Sequence, residues 1–485
     1  MDSLKRKKDS HPEMYEPAKS LLDALYEEGI IPTYSFPKNV VSTYIQDNTG
    51  KLRYQVERGL DIAISEYAPG RSIVVDKQTY QIGRLYYPGS ERRKGCASSP
   101  ARSFVKDPNY IKDIVSCSCG WIGFPEDGAE SCPFCGNAHL TVSRKMLRPW
   151  GFAPRDAKDI QTAQLDEEFS RVRPPLYSTL PRAEDMHPVK NCMNIRIASR
   201  KNQRIIMLNT GKDNNGFAVC PDCGAAMPGQ DSQALKDISR PYISNYTKSK
   251  CRHTDTINVN LGYDFITDML VLEFALNDAV LDTCNASMWL NMSAQSLAEA
   301  LRLSASQVLD VDFTELVTGC RVRRSESGTF VDVYIYDSLS GGAGYAVSLT
   351  EDIAEILQGI RELLAGCDCG SACRKCLKHY RNQYVHGMLD RFAALQLLKW
   401  GISGKVADDL PLAVQKEYIS PLEGVLQEAG HRLSYTAEGI AVDGRSLVVY
   451  PAMRAEPHEF GKIFVSDMCL KYSKPYALQK ILSEL

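Results

Sequence analysis

Closely spaced cysteines at three places in the 485-residue chain are the feature that most restricts what it can fold into. Most of the sixteen cysteines belong to these three groups. The N-terminus carries basic residues without the apolar run of a secretory signal, so a framework of disulfide bonds is not expected. In a reducing compartment, cysteine spacing of this kind indicates bound metal ions.

The first group consists of two cysteine pairs, Cys117 with Cys119 and Cys132 with Cys135, separated by twelve residues. Two close thiolate pairs joined by a short loop supply the four tetrahedral ligands that Zn(II) prefers. A glycine follows each pair and permits the tight turn that such a ligand pair needs. The spacing therefore predicts a zinc ribbon.

The second group combines three cysteines with one histidine, namely Cys220, Cys223, Cys251 and His253. Its first two members form a metal-binding turn, and the last two follow after twenty-seven residues. We predict one zinc site that uses all four side chains. The spacing leaves an alternative open, in which the first two cysteines recruit His187 or Cys192 instead.

The third group places four thiols within ten residues, namely Cys367, Cys369, Cys373 and Cys376. Thiolates this close repel one another unless a cation neutralises them, so a metal is expected. Zinc is the predicted ion, and an iron–sulfur cluster is the alternative because its ligands are also cysteines. The predicted cofactor is thus Zn(II) at two to three structural sites, each closed by protein ligands.

The charge balance gives no general attraction to nucleic acid or to an anionic membrane. The chain has 57 Lys and Arg against 59 Asp and Glu, for a net charge of −2. No apolar stretch is long enough for a transmembrane helix. We predict a cytoplasmic protein with no membrane partner, in which any contact with DNA is made by local basic patches.

The pattern of segments predicts a multidomain α+β protein, with zinc-ribbon and zinc-knot modules inserted among mixed antiparallel sheets and helices. Residues 60–87 are predicted as short strands with a turn at Asp76-Lys77, and residues 257–274 as a strand broken near Gly262. Five regions are predicted: an N-terminal helix plus short strands (1–95), the first zinc ribbon (96–150), a linker and β-rich region with the second zinc site (151–275), a zinc-binding domain with the cysteine knot (276–405), and a small C-terminal α/β region (406–485).

Helix and hairpin signals are clearest in the second half of the chain. Residues 296–299 have the form of a capping box, which predicts a helix beginning there. Residues 350–366 are predicted as an amphipathic helix that ends at a glycine. Residues 410–429 are predicted as one further helix, and Asp443-Gly444 as the turn of a β-hairpin.

No familiar catalytic or nucleotide-binding motif is present. The chain lacks a G-x-x-x-x-G-K-[ST] phosphate loop, a G-x-S-x-G elbow and an H-E-x-x-H helix. We therefore expect no enzyme activity. The glycine-rich corner at residues 341–344 either contacts a phosphate through its N–H groups or is a tight turn, and Asp337 just before it would repel a phosphate.

Four segments together resemble a known family: the connector at 31–37, the turn at 66–70, the corner at 337–345 and the cysteine knot at 367–376. In this order they are similar to the C-terminal accessory region of MrfA-like bacterial helicases, which ends in the MrfA zinc-binding (MZB) domain. The chain is similar above all to DrmB, the subunit of the DISARM phage-defence system that carries this region without a motor. The resemblance implies that the four cysteines of the third group are zinc ligands, and that a DrmA-like helicase is the partner.

The leading functional hypothesis is a non-catalytic subunit of a superfamily 2 helicase that helps to bind or recognise phage DNA. The alternatives are a protein-interaction scaffold without nucleic-acid contact, a helicase-associated DNA-repair factor, or a nuclease with an unrecognised site. Three basic clusters are candidate phosphate contacts: Arg92, Arg93 and Lys94; Arg321, Arg323 and Arg324; and Lys375, Lys378 and Arg381. Each can equally be an ordinary solvated surface.

Overall fold

The fold was analysed in a computed structural model of the chain. It describes residues 39–47, 51–86, 100–118, 121–127, 131–155, 176–177, 185–230, 235, 251–253, 255–284, 286–325, 328–339, 341–437 and 439–485. The predicted N-terminal helix and the connector at 31–37 lie outside these residues, as do Arg92, Arg93, Lys94 and Cys119.

The described strands and helices are largely segregated along the chain, as in an α+β protein. The strands are β1 (Val40–Gln46), β2 (Leu52–Gly59), β3 (Ser72–Val75), β4 (Gln78–Leu85), β5 (Ile111–Lys112), β6 (Val115–Ser116), β7 (Ile122–Gly123), β8 (Thr141–Val142), β9 (Met146–Leu147), β10 (Phe152–Pro154), β11 (Leu176–Tyr177), β12 (His187–Pro188), β13 (Ile195–Asn209), β14 (Phe217–Val219), β15 (Ala226–Pro228), β16 (Ile257–Ala275), β17 (Leu316–Ser325), β18 (Gly328–Asp337), β19 (Leu433–Tyr435), β20 (Ile440–Val442), β21 (Arg445–Tyr450) and β22 (Lys462–Ser466). The α-helices are α1 (Leu60–Glu66), α2 (Pro100–Phe104), α3 (Met288–Val308), α4 (Tyr345–Ser348), α5 (Ile353–Ala365), α6 (Arg391–Ser403), α7 (Leu412–Ile419), α8 (Glu423–Glu428), α9 (Asp467–Tyr472) and α10 (Lys474–Ser483).

The N-terminal part forms a sheet with the strand order β2-β1-β10-β4-β3. The turn predicted between β3 and β4 is confirmed, since Asp76 and Lys77 both have positive φ angles. Residues 60–66 were also predicted as strand, and this part of the prediction is wrong because they form α1. Leu60, Ala63 and Ile64 recur at helical spacing and bury one face of α1.

The largest sheet is built around the nineteen-residue strand β16, which pairs with β13, β14 and β18 and with the short strand β9. The predicted boundary at residue 275 runs through this sheet, because β18 pairs with the last seven residues of β16. The short strands β5 and β9 of the predicted region 96–150 also belong to this sheet, so three of the predicted regions share it. The predicted α+β class with metal-binding modules is confirmed.

Gly262 lies inside β16 and does not interrupt it, contrary to the predicted break. The residue pairs with Leu208 of β13. A Cβ atom at this position would lie 2.4 Å from the backbone oxygen of Met207. The glycine thus permits two long strands to approach closely.

The helical layer covers one face of this sheet, with α3 at its centre. Leu297, Leu301 and other buried residues of α3 pack against β17, β18, α5 and α6. The helix begins eight residues before the predicted capping box, because Ser287 accepts a hydrogen bond from the N–H of Leu290. Ser296 lies within the helix and accepts a hydrogen bond from the N–H of Asp390 instead.

The C-terminal residues form a separate sheet of strand order β19-β20-β21-β22 with its own apolar core. The predicted hairpin at Asp443-Gly444 is confirmed, and both residues have positive φ angles. The helix predicted over 410–429 is divided into α7 and α8 by a 3₁₀ turn at Ser420–Leu422, which contains Pro421. No described helix is long and apolar enough to cross a bilayer.

We expect Gly262→Ala to destabilise the protein by about 1–3 kcal/mol, because the added methyl group forces β13 and β16 apart. The urea-unfolding midpoint of the full chain measures this effect. Gly439→Ala is the matched control, since a Cβ atom there meets no atom within 4 Å. Equal midpoints for the two variants would contradict the prediction that the close approach of β13 and β16 requires a glycine at position 262.

Candidate metal centres

The structure brings three sets of metal-ligating side chains together. Within each set the ligand atoms lie within 4.8 Å of one another. The sets are Cys117, Cys132 and Cys135; Cys220, Cys223, Cys251 and His253; and Cys367, Cys369, Cys373 and Cys376. Each can hold a zinc ion.

The geometry of the third group suits a tetrahedral ion. With Zn–S bonds of about 2.3 Å, tetrahedral sulfurs lie about 3.8 Å apart. The Sγ atoms of Cys367 and Cys373 are 3.5 Å apart, and those of Cys369 and Cys376 are 3.7 Å apart. All four donors are soft thiolate sulfurs, a ligand set that fits the borderline-soft Zn(II) ion.

Backbone groups around the third group favour thiolates. Gly366 ends α5, as predicted, and delivers the chain into Cys367. The N–H of Lys375 donates to the Sγ atom of Cys373 at 3.3 Å and is the main cause of a lowered pKa of about 7 for that thiol. Zinc binds the deprotonated form, which this hydrogen bond favours at Cys373, whereas burial raises the pKa of Cys369 and Cys376.

Two cationic side chains from outside the motif hold the loop of the third group in place. Arg391, at the start of α6, donates to the backbone oxygens of Cys369 and Leu364, each at 2.9 Å. Lys471 of α9 donates to the backbone oxygen of Gly370 at 2.8 Å. Cysteine spacing did not reveal these two residues, since they lie 15 or more positions beyond Cys376 in the sequence.

The third group is more exposed than the second. Cys367, Cys369 and Cys373 are half-buried and line an open groove of about 510 Å³ beside the end of α5. In the second group, Cys220, Cys223 and Cys251 are all buried. A chelator therefore has easier access to the third group.

The second group matches the four-residue set that was predicted for it. The Sγ atoms of Cys220 and Cys251 are 3.7 Å apart, and Sγ of Cys223 lies 3.5 Å from Nδ1 of His253. His187 and Cys192, the predicted alternatives, are absent from this set. A hydrogen bond with Cys223 is the main reason that the pKa of Cys220 is lowered to about 4.

The second group also joins the N-terminal sheet to the large sheet. The N–H of Leu85 in β4 donates to the oxygen of Gly224 at 2.8 Å, and Arg84 Nε donates to the oxygen of Cys223 at 2.8 Å. Gly224 has a φ of +79°, and a Cβ atom there would lie 2.3 Å from the oxygen of Leu85. The metal-binding turn is thus a docking point for β4.

Three of the four predicted ligands of the first group can be described, and their placement suits one ion. The Sγ atoms of Cys117 and Cys135 are 3.5 Å apart, and the N–H of Phe134 donates to Sγ of Cys132 at 3.4 Å. Trp121 and Phe134 pack edge to face and share an apolar cluster with the thiols. This ribbon packs on the large sheet through a shared apolar core.

Arg321 and Arg323 are buried in the large sheet, which corrects their prediction as phosphate contacts. Their side chains are only 9% and 8% exposed. Arg321 pairs with Asp332 at 2.6 Å, and Arg323 pairs with both Asp332 and Glu273. Arg324 is half-buried and donates to the backbone oxygen of Thr283. The three guanidinium groups therefore bind acceptors within the protein.

Arg321 also connects this ion-pair network to the first zinc ribbon. Its guanidinium lies 3.6 Å from the ring centroid of Phe134. In the sequence, Phe134 lies between Cys132 and Cys135. Burial tends to raise the pKa of Asp332, but Arg321 and Arg323 outweigh burial and lower it. Asp332 is therefore ionised at neutral pH.

The basic residues after the third group have the exposure that surface contacts require. Lys375 and Arg381 are exposed, and Lys378 is half-buried. Tyr380, which lies between them, is 82% exposed and so is not a core residue. Their role as phosphate contacts stays a prediction.

The glycine-rich corner is a tight turn around Asp337. Its carboxylate accepts hydrogen bonds from the N–H groups of Ala343, Gly344 and Ala346, at 2.6–2.7 Å. Burial raises the pKa of Asp337, and these N–H groups oppose that effect. Because the carboxylate occupies the N–H groups that a phosphate would need, the structure favours the turn over phosphate binding.

The segment that contains α3 and the third cysteine group matches a known protein family. Residues 297–377 match the family model of the MrfA Zn-binding domain, so the chain contains this domain. The chain is 31% identical to the Druantia protein DruE of Escherichia coli (strain UMEA 4076-1), over 96% of this chain and 27% of that protein. It thus spans about a quarter of the length of this curated relative.

Solved structures of a helicase are similar over much of the chain. The crystal structure of the DUF1998 helicase MrfA bound to DNA gives a TM-score of 0.38 at 11% identity, covering 78% of this chain and 38% of that chain. The structure of MrfA bound to DNA and AMPPNP gives a TM-score of 0.32 at 10% identity, covering 75% and 31%.

We expect the purified, reduced chain to contain three zinc ions and no iron, as measured by elemental analysis. Cys376→Ser removes one ion, and the matched control Cys469→Ser, outside the three sets, removes none. A chromophoric chelator should take the third-group zinc first, because three of its thiols are accessible. Fewer than two tightly bound ions in the wild type would contradict the assignment.

We expect Arg321→Met to destabilise the protein by about 3–5 kcal/mol, because it leaves the buried Asp332 carboxylate with one cation fewer. Urea unfolding followed by tryptophan fluorescence measures the change. The control Arg53→Met removes an exposed guanidinium and should leave the midpoint unchanged. A wild-type midpoint for Arg321→Met would mean that Arg323 alone compensates the charge.

Proposed function

We propose that the chain is a non-catalytic zinc-binding accessory unit that associates with a superfamily 2 DNA helicase and helps it to bind foreign DNA in bacterial anti-phage defence. The observation that carries the proposal is the third cysteine group. Its four thiols have zinc-site geometry and lie at the end of a MrfA Zn-binding domain. The resemblance of the chain to the accessory region of MrfA-like helicases and to a subunit of a phage-defence system supports the same role.

We infer that the helicase motor is supplied by a DrmA-like partner in the cytoplasm. In the described residues, the second and third metal-ligand sets each supply four protein ligands and so have the form of structural sites. Motor chemistry needs a phosphate-binding loop, and the chain contains no such motif. The DISARM-like assignment of the system is part of this proposal.

DNA contact is proposed at the loop that follows the third group. Residues 374–381 carry Arg374, Lys375, Lys378 and Arg381 and no acidic side chain. Since the whole chain has a net charge of −2, this local excess of positive charge is the feature that attracts phosphate.

Purification of the tagged full chain from its native host tests the partnership. We expect a DExH-box helicase to co-purify with it, and Cys367→Ser to lose the helicase if the zinc-bound domain forms the interface. Cys284→Ser, which changes an exposed cysteine outside the three sets, is the matched control. A soluble monomer that captures no helicase would contradict the proposal.

DNA binding by the purified chain tests the role of this basic loop. We expect the charge reversals Lys375→Glu, Lys378→Glu and Arg381→Glu together to weaken binding. The slope of log K against log salt should become shallower by about 0.7–0.9 for each phosphate group that is no longer neutralised. A control variant with the same change of charge at exposed sites elsewhere should bind almost as wild type: Lys51→Glu, Lys77→Glu and Lys201→Glu.

The alternatives give different results in these experiments. A protein-interaction scaffold would capture the helicase but show no salt-dependent DNA binding. A DNA-repair factor would, on deletion from its host, raise sensitivity to DNA damage and leave phage resistance unchanged. A nuclease would cleave DNA in the presence of a divalent metal, and a chelator would stop the cleavage.

A further inference from the structure

Exposed aromatic side chains lie on helices α6, α9 and α10, and two of them follow Arg391 and Lys471, which contact the loop of the third cysteine group. Phe392 at the start of α6 is 43% exposed, Tyr472 at the end of α9 is 36% exposed, and Tyr476 in α10 is 58% exposed. Large aromatic side chains usually gain free energy by burial, so several exposed rings mark a surface that a partner covers.

Lys471 connects two of these rings with the metal-binding loop. Its Nζ atom lies 5.6 Å from the ring centroid of Phe392 and 5.0 Å from that of Tyr472. The same atom donates to the oxygen of Gly370, between the ligands Cys369 and Cys373. The two rings therefore flank one cation at the edge of the third group.

Lys474 contributes an exposed positive charge to this surface. The other two lysines of residues 468–483 are in ion pairs, Lys471 with Asp390 and Lys480 with Glu456. Asp390 also accepts hydrogen bonds from Tyr472 and from the first N–H groups of α6. Its negative charge is thus compensated within the fold.

We infer that Phe392, Tyr472 and Tyr476, with Lys471 and Lys474, form a binding surface for single-stranded DNA. Bases stack on exposed rings without regard to sequence, while lysines attract the phosphates between them. In a duplex the faces of the bases are already stacked on one another, so rings of this kind select unpaired strands. This inference rests on the proposed function and specifies the form of DNA that a helicase-associated chain would hold.

Fluorescence anisotropy with a labelled oligothymidylate and the full chain tests the surface. We expect Phe392→Ala and Tyr476→Ala each to weaken binding roughly five-fold or more, as for the loss of one stacked base. Tyr472→Phe keeps the ring and should bind nearly as wild type, whereas Tyr472→Ala should not. Phe460→Ala is the control, because Phe460 is fully exposed in a loop with Glu456 and Glu459.

The outcomes separate this inference from the proposed function. Each variant is first shown to retain its zinc content, so that a folding defect is recognised. If the ring variants bind as wild type while the charge reversals at Lys375, Lys378 and Arg381 abolish binding, the surface is overturned and the proposed function stands. Tighter binding of the duplex or of a matched RNA than of single-stranded DNA would also overturn the assignment. If the wild type neither binds DNA nor captures a helicase, the proposed function itself falls.

Discussion

Thiolates held less than 4 Å apart repel one another, and only a bound cation makes such an arrangement favourable. In this chain each set of thiols lies where separate elements meet. The second set adjoins β4 of the N-terminal sheet, and the first rests on the large sheet. The third connects α5 to α6 and contacts α9. Coordination energy therefore joins separate elements, which is how metal binding becomes folding free energy.

The buried ion pairs of β17 and β18 have a related role at the first zinc ribbon. A buried guanidinium is tolerated only where carboxylates and hydrogen bonds compensate its desolvation, and Asp332 and Glu273 provide that compensation. Arg321 then presents its flat face to Phe134 of the ribbon. Positive charge in this region stabilises contacts inside the protein, whereas the loop after the third group presents it to solvent.

Local spacing was sufficient to predict the ligand sets and the Asp443-Gly444 hairpin, because those features depend on a few neighbouring residues. Predictions failed where tertiary contacts decide. Ser296 opens a capping-box sequence. In the structure its hydroxyl accepts a hydrogen bond from the N–H of Asp390, which is 94 positions away in the chain. Arg321 and Arg323 look like a basic surface in isolation. The register of the β17–β18 hairpin places Arg321 opposite Asp332, and that cross-strand pair is the signal that would have revealed their burial.

The third cysteine group is physically coupled to the exposed rings of Phe392 and Tyr472. Arg391 and Lys471 both donate to backbone oxygens of the metal-binding loop, and both approach the ring of Phe392. If the ion leaves, the loop loses the constraint that fixes those oxygens, and the two cations lose their fixed acceptors. The rings beside them would then no longer be held in one arrangement, which removes the preorganisation that stacking on a rigid surface provides. A structural zinc ion can in this way control the proposed single-stranded DNA surface without touching the DNA.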